Sequence, residues 1–284
     1  MSQNNCNCGC CCQSPKSVVS LPLSALRLPL HGMAVDIDAD ALKGQGQGQC
    51  ALNLDLYVAT TGDDANDGLT PATAMATVHR AAEYLSGIGW IGTATVHIAD
   101  GTYDGDPLHI GHIVDLTGRV AFDGESRDGT ILTFNFKFYQ TKACISNLTI
   151  TNSGRYHVSA SQQANVALSN VALQSNDASA TVVASSLNSF MALSDCALSG
   201  TAGSFLVPYD GGVIYITGAV TFNGACAQVA YVCQGGGIRV DGPTTGNVTG
   251  KKYLVRTNGV LVLNGKTLPG STAGTTETGG QVVA

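Results

Sequence analysis

The chain has little charge. Asp, Glu, Lys and Arg make up 12% of its 284 residues. Between Arg155 and Arg239 the only charged side chains are Asp177, Asp195 and Asp210. With a net charge of −6 it has no basic surface to offer a polyanion, so no nucleic-acid partner is expected. It has one Trp, and its only glutamates are Glu83, Glu125 and Glu277. Glycoside hydrolysis needs a pair of carboxylates flanking the scissile bond, and the central stretch supplies no Glu for one. No apolar run approaches the ~20 residues of a membrane span, so no membrane insertion is expected. The chain does not open on a basic flank followed by an apolar run, so a secretory leader is not expected either.

The chain is rich in glycine (35 residues), and 44% of it is hydrophobic. That is enough apolar material for a core and excludes a disordered chain. Many small polar residues around such a core suit an elongated solenoid, and a solenoid requires an internal repeat. From Val96 onward, strand-like segments end in Asp or Asn at Asp100, Asp123, Asn147, Asn170 and Asp195, a nearly even interval in the low twenties. Near-copies follow the last three: Leu148-Thr-Ile, Val171-Ala-Leu and Cys196-Ala-Leu. A further turn is read at Val220-Thr-Phe-Asn223, after a slightly longer gap. One coil of that length cannot bury its own apolar face, so stacked coils must share a core. Asn and Asp suit a corner in the left-handed conformation, which is cheap for them. The fold expected is all-β, a parallel β-helix.

Ahead of the repeat, Tyr57-Val58-Ala59 reads as a strand and residues 61–68 as a compact turn dense in Asn, Asp and Gly. Val78, Ala81, Ala82 and Leu85 then fall at i, i+3, i+4 and i+7, one face of a helix with Thr77 as N-cap and Gly87 as its stop. A strand over Val96–Ile98 follows, and Trp90 is expected to pack beneath the helix. This strand, Asp/Gly turn, short helix and strand-G-x-Y module resembles the opening of single-stranded right-handed β-helices of the pectate-lyase-like group, used by phage tail spikes and fibres. The resemblance implies a right-handed solenoid, a helix covering its N-terminal end, and side-by-side packing in a homotrimer. The chain is accordingly divided into a Cys-rich tail (1–16), a docking segment with a Gly/Gln linker (17–50), the opening module (51–95), the coils (96–245) and a closing segment (246–284).

Five of the ten cysteines, Cys6, Cys8, Cys10, Cys11 and Cys12, crowd the tail. Interchain disulfides and free thiols are both open here. Metal ligation lacks a second CxxC or a His pair, and palmitoylation lacks a neighbouring amphipathic segment. Asp36, Asp38 and Asp40 alternate as on a solvated strand edge and lack the Gly and terminal Glu of a calcium loop. Cys144, Cys196, Cys226 and Cys233 sit among apolar repeat residues and read as buried core fillers, with no bond expected between Cys144 and Cys196. His109 and His112 are three apart, which on a strand puts them on opposite faces, so no metal is expected. No cofactor is implied anywhere.

The end of the chain, Lys251 to Val260 and then Leu268 to Gln281, resembles a closing segment of phage and prophage tail-fibre proteins. Its Pro, Gly and Thr suit an extended tail lying on neighbouring chains. The resemblance implies a trimeric virion fibre or spike, assembled in the bacterial cytoplasm. Its partners are its own copies and other virion proteins met through residues 1–56, and it touches a host surface glycan. Lys251, Lys252 and Arg256 near the tip are candidates for anionic sugars, and a solvated strand edge explains them equally well. The alternative is a tail-spike depolymerase, a lyase or glycoside hydrolase. Asp177 and Asp210 have no basic partner for that chemistry, and the cluster Arg119, Asp123, Glu125, Arg127 and Asp128 reads as turn and salt-bridge duty. No residue is assigned a catalytic role.

Overall fold

The computed structural model describes residues 52–86, 92–111, 119–152 and 154–284. Cys6 to Cys12, the docking segment with its three aspartates, Trp90 and His112 lie outside the described residues. Nineteen strands form one continuous sheet in which all named pairings are parallel, wound into a solenoid of about eight turns. A β1 strand (Leu52–Val58) begins the first face. It is followed on that face by β2 (Gly92–Ile98), β5 (Arg119–Gly124), the start of β8 (Lys142–Asn152) and the start of β10 (Asn165–Ser185). Then come β11 (Phe190–Ser194), β13 (Val213–Ile216), β15 (Gly237–Val240), β17 (Val260–Val262) and β19 (Gln281–Val283).

The second face stacks β3 (Gly101–Tyr103), β6 (Thr130–Leu132), the ends of β8 and middle of β10, β12 (Cys196–Pro208), β14 (Val220–Val232) and β16 (Thr244–Val255). The third stacks β4 (Leu108–Gly111), β7 (Phe136–Tyr139) and β9 (Tyr156–Ser161), then the far ends of β10, β12, β14 and β16, then β18 (Thr275–Thr276).

Register explains the repeat. Leu56, Val96, Phe122, Ile145, Leu168, Leu193, Ile216 and Val240 are successive Cα partners, and all are at most 1% exposed. On a strand the side chains alternate sides, so one such column commits its whole face to in or out. The second face contributes Leu132, Ile150, Leu173, Leu198 and Phe222 to the same core. Four phenylalanines concentrate in the early coils. Phe122 lies 5.0 Å from Phe136, which stacks on Phe138 at 5.7 Å, and Phe134 lies 5.6 Å from Phe136. Each such buried ring contributes roughly 1.5–3 kcal/mol by leaving water.

The opening module is held by carboxylates. Asp64 accepts from the backbone N–H of Ala76 and Thr77 and from the Thr77 hydroxyl, all at 2.9 Å. The Thr77 Oγ1 in turn accepts from Arg80 N–H at 3.1 Å, the geometry of an N-cap, and α1 (Val78–Ser86) follows. The helix buries Val78, Ala81, Ala82, Tyr84 and Leu85 and lies against β1 and β2, the first two rungs of the first face. A short 3₁₀ turn, Pro71–Thr73, carries a reciprocal capping box between Thr70 and Thr73.

Two systems of corners close the coils. Between the first and second faces, Asn147, Asn170 and Asp195 stand at φ +55°, +55° and +57°. Asp123 and Asp100 are not among the left-handed residues. Asp123 lies within β5 opposite Ser146, one step short of the Asn147 position. It joins the corner through its side chain, accepting from Ser146 Oγ (2.7 Å) and Asn147 Nδ2 (2.9 Å), while Asn147 Oδ1 accepts from Asn170 Nδ2 (2.9 Å). The predicted further turn at Asn223 is shifted. Asn223 sits within β14, between Ser199 and Asn247, and the position after Asp195 in this corner is Ala219, next to the Cys196–Val220 pair.

Between the third and first faces the turns are paired left-handed residues: Gln162-Gln163, Leu187-Asn188, Asp210-Gly211, Gln234-Gly235, Thr257-Asn258 and Thr278-Gly279. Each is closed by a backbone bond across it, for example Gly212 N–H to Tyr209 O at 2.9 Å. Two positive φ values and that bond define a type I′ turn. Successive turns are also tied to one another, as in Asn188 N–H to Asp210 O at 3.2 Å. The closing segment is less extended than expected: Thr275–Thr276 pairs with Leu254–Val255 and Gln281–Val283 with Val260–Val262, so this tail forms the last coil of its own chain.

Candidate functional site

The residues singled out from sequence do not converge. In the cluster near the second coil, Glu125 accepts the Asp100 backbone N–H at 3.0 Å, and the Asp100 carboxylate takes the hydroxyls of Ser126 (2.8 Å) and Thr130 (3.0 Å). Arg127 pairs with its neighbour Asp128 at 3.5 Å, and Arg119 opens β5 on the exposed side. The acids are spent on turn N–H groups and hydroxyls. Asp177 accepts from Ser179 N–H and Oγ, both at 2.8 Å, which holds its carboxyl below the ordinary value. Asp210 occupies a left-handed turn position on a different corner. Asp177 lies near the buried His157, and among the described residues no group of three His, Cys, Asp or Glu is placed to hold a metal. His109 on β4 stacks on Tyr139 at 6.1 Å, and burial followed by nearby Lys137 lowers its pKa.

The four described cysteines are free. Cys144 lies between Ala121 and Ala167 on the first face, whereas Cys196 opens β12 on the second. Burial pushes the thiols of Cys196 and Cys226 up to about 11, so neither is a thiolate nucleophile near neutrality. His157 is fully buried, its Nε2 2.8 Å from Gln174 O, and burial lowers its pKa.

Sequence reasoning missed the outward aromatic groups, because the tyrosines are scattered in sequence and only the register brings them to cations. Tyr215 and Arg239 are Cα partners on the first face, and the guanidinium lies over the ring at 5.4 Å. Asp241 accepts from Arg239 at 3.1 Å and also from the Tyr215 hydroxyl and Asn264. That hydrogen bond raises the Tyr215 pKa, and the Arg239 bond, then the Tyr215 bond, lowers that of Asp241. On the third face Arg155 covers Tyr156 (5.2 Å) and Arg256 covers Tyr231 (5.3 Å).

One groove stands beside these groups. It is about 330 Å³, lies on the second face near the end of the stack, and is lined by Thr244, Asn247, Lys252, Thr267, Pro269 and Ser271 among others. It opens where the last coil leaves the ladder, because Pro269 has no N–H to give. A Thr244 hydroxyl bond to Thr267 O closes one end of it, and Ser271 N–H to Val248 O (2.9 Å) closes the other. The surface can bind and stack, and on the first face His97 Nε2 lies 2.9 Å from Asp55 Oδ1, a partly exposed pair between successive rungs that sequence reasoning also missed. No family model matches the chain, and the search of curated proteins found no match.

Proposed function

We propose that this chain is a structural fibre or spike protein of a bacteriophage particle, a homotrimer of right-handed parallel β-helices attached through its N-terminal residues. The observation that carries this reading is the second face. From Leu148 to Thr249 its strands present Thr, Asn, Gln, Ser and Ala outward, and the one charged side chain among them is Asp177, at the margin. The first face carries Arg119, Asp123, Lys142, Arg239 and Asp241, and the third carries Lys137, Arg155 and Lys251. A flat face without charge is cheap to remove from water, since no ion need be desolvated. Three such faces meeting at an axis would use it well. The resemblance of residues 57–103 and 251–281 to phage fibre segments supports the same reading, and its role is mechanical.

The test is a non-reducing gel of the full chain, followed by Cys6, Cys8, Cys10, Cys11 and Cys12 all changed to Ser. A covalent trimer that becomes non-covalent on substitution supports a fibre whose N-termini converge. A chain that runs as a monomer under every condition and shortens a capsular polysaccharide would replace this reading with the depolymerase.

A further inference from the structure

We infer that the groove between β16 and the last coil is a binding site for a small oxyanion group, a carboxylate, sulfate or phosphate, with Lys252 as its cation. The inference needs one protomer only, but Thr244 to Val248 belong to the second face, so it requires that the proposed trimer contact leave the last coil open. The described arginines other than Arg119 are engaged. Arg80 pairs with Glu83, Arg127 with Asp128 and Arg239 with Asp241, while Arg155 and Arg256 lie over tyrosine rings. Lys252 is half-buried in the groove and makes no ion pair among the described residues. Its stem runs along Gly270, where even a methyl group would come within 3.0 Å of its Cγ, and its Nζ donates to Thr267 Oγ1 at 3.3 Å. An ammonium carries three donors, so two remain for a ligand.

Around it stand the Thr245 hydroxyl, shared with that of Thr221 at 3.2 Å, and the amide of Asn247, with Val248, Leu268 and Pro269 as an apolar wall, while the Ser271 hydroxyl is engaged with the Gly250 backbone. No carboxylate lines the groove. One cation with a neutral amide beside it and no carboxylate in the lining recognises an anionic oxygen and disfavours a second cation. The long-range field has the same sign. From Gly236 to Ala284 there are five basic side chains against two acidic ones, whereas Leu52 to Asp128 holds twelve acidic side chains against three arginines. An anion is therefore steered toward this end of the stack.

The test is titration of the isotopically labelled full chain with sodium acetate, sulfate and inorganic phosphate, each against chloride at matched ionic strength, read by amide shifts. Saturable shifts confined to residues 244–252 and 267–272 are expected. Lys252→Met, which keeps the stem, should weaken binding about tenfold or more, as loss of a charged hydrogen bond does. Lys252→Arg should retain most of it, and Lys251→Met and Lys266→Met should change it less than twofold. Preference for acetate over the tetrahedral anions assigns a carboxylate, and the reverse assigns sulfate or phosphate. Equal binding by the wild type and Lys252→Met, or shifts spread over Lys251, Arg256 and Lys266 alike, would overturn the proposal.

Discussion

The early and late coils reach the same cross-section by different means. Leu52 of β1 pairs with Gly92 of β2, and Thr93 with Arg119 of β5, so the first coil is much the longest. It carries the helix and its turns. The corners of these early coils are held by side chains: Asp64 on the helix start, Asp67 on Leu69 N–H and Thr73, Asp100 and Glu125 across the next turn. Beyond Asn147 the coils shorten to a nearly even length, as the column Leu168, Leu193, Ile216 and Val240 shows. Their corners rest on backbone conformation: Asn170 and Asp195 are single left-handed residues on one corner, which the later coils pass at Ala219 and Pro243 without one, and every coil carries a type I′ pair on the other. A corner held by carboxylates needs charge, and one held by φ does not. The late coils can therefore leave a whole face without ions, which the proposed trimer requires.

The largest effect expected from breaking this pattern is in the early core. Phe136→Ala removes a ring that touches Phe122, Phe134 and Phe138, and should cost about 3–5 kcal/mol. Thermal unfolding by circular dichroism would check it. Next is Gly224→Ala, at φ +123° with a new Cβ that would overlap Gly200 O. The backbone must move, so a loss of roughly 1–3 kcal/mol is expected in the same assay. Gly235→Ala, at φ +71° in open space, bears only the left-handed penalty of about 1 kcal/mol. If the two alanines cost the same, close stacking of rungs does not limit the late coils. Asp64→Ala should cost about 1–2 kcal/mol through the lost cap, with the change in amide exchange falling on α1 and not beyond Asn147.

The smallest effect concerns pH. The lowered pKa of buried His157 means that the unfolded chain takes up its proton first as pH falls. Its neutral form is fully accommodated above the ordinary value of 6.5, and stability declines as pH drops from there toward the folded-state pKa. His157→Gln should flatten that limb in urea titrations at pH 5 and pH 8, and an unchanged slope would remove His157 from the account.

The repeat was legible because each coil leaves the same apolar residues at the same place. Asn147, Asn170 and Asp195 also announced their corner, since polar residues tolerant of positive φ recurred at a nearly even interval. The second corner was not, although its dipeptides recur as regularly. Gln162-Gln163, Leu187-Asn188 and Thr257-Asn258 share a backbone shape but not a residue type, and Leu and Thr are poor left-handed residues that only the stack imposes. Asn223 misled because a polar residue on a solvent-facing strand position looks the same in sequence as one at a bend. The groove was hidden for another reason, since Lys252 and Thr267 meet only where Pro269 lifts the last coil away.

The central claim is that charge-free second faces meet in a trimer, and the mass in solution tests it most directly. Light scattering of the full chain in reductant should give three times the 29.1 kDa of one copy. Gln174→Glu with Asn176→Asp, which place like charges on that face without changing side-chain size, should lower the mass toward one copy while the circular dichroism spectrum stays the same. A wild-type particle of 29.1 kDa, or a trimer indifferent to both charges, would contradict the claim.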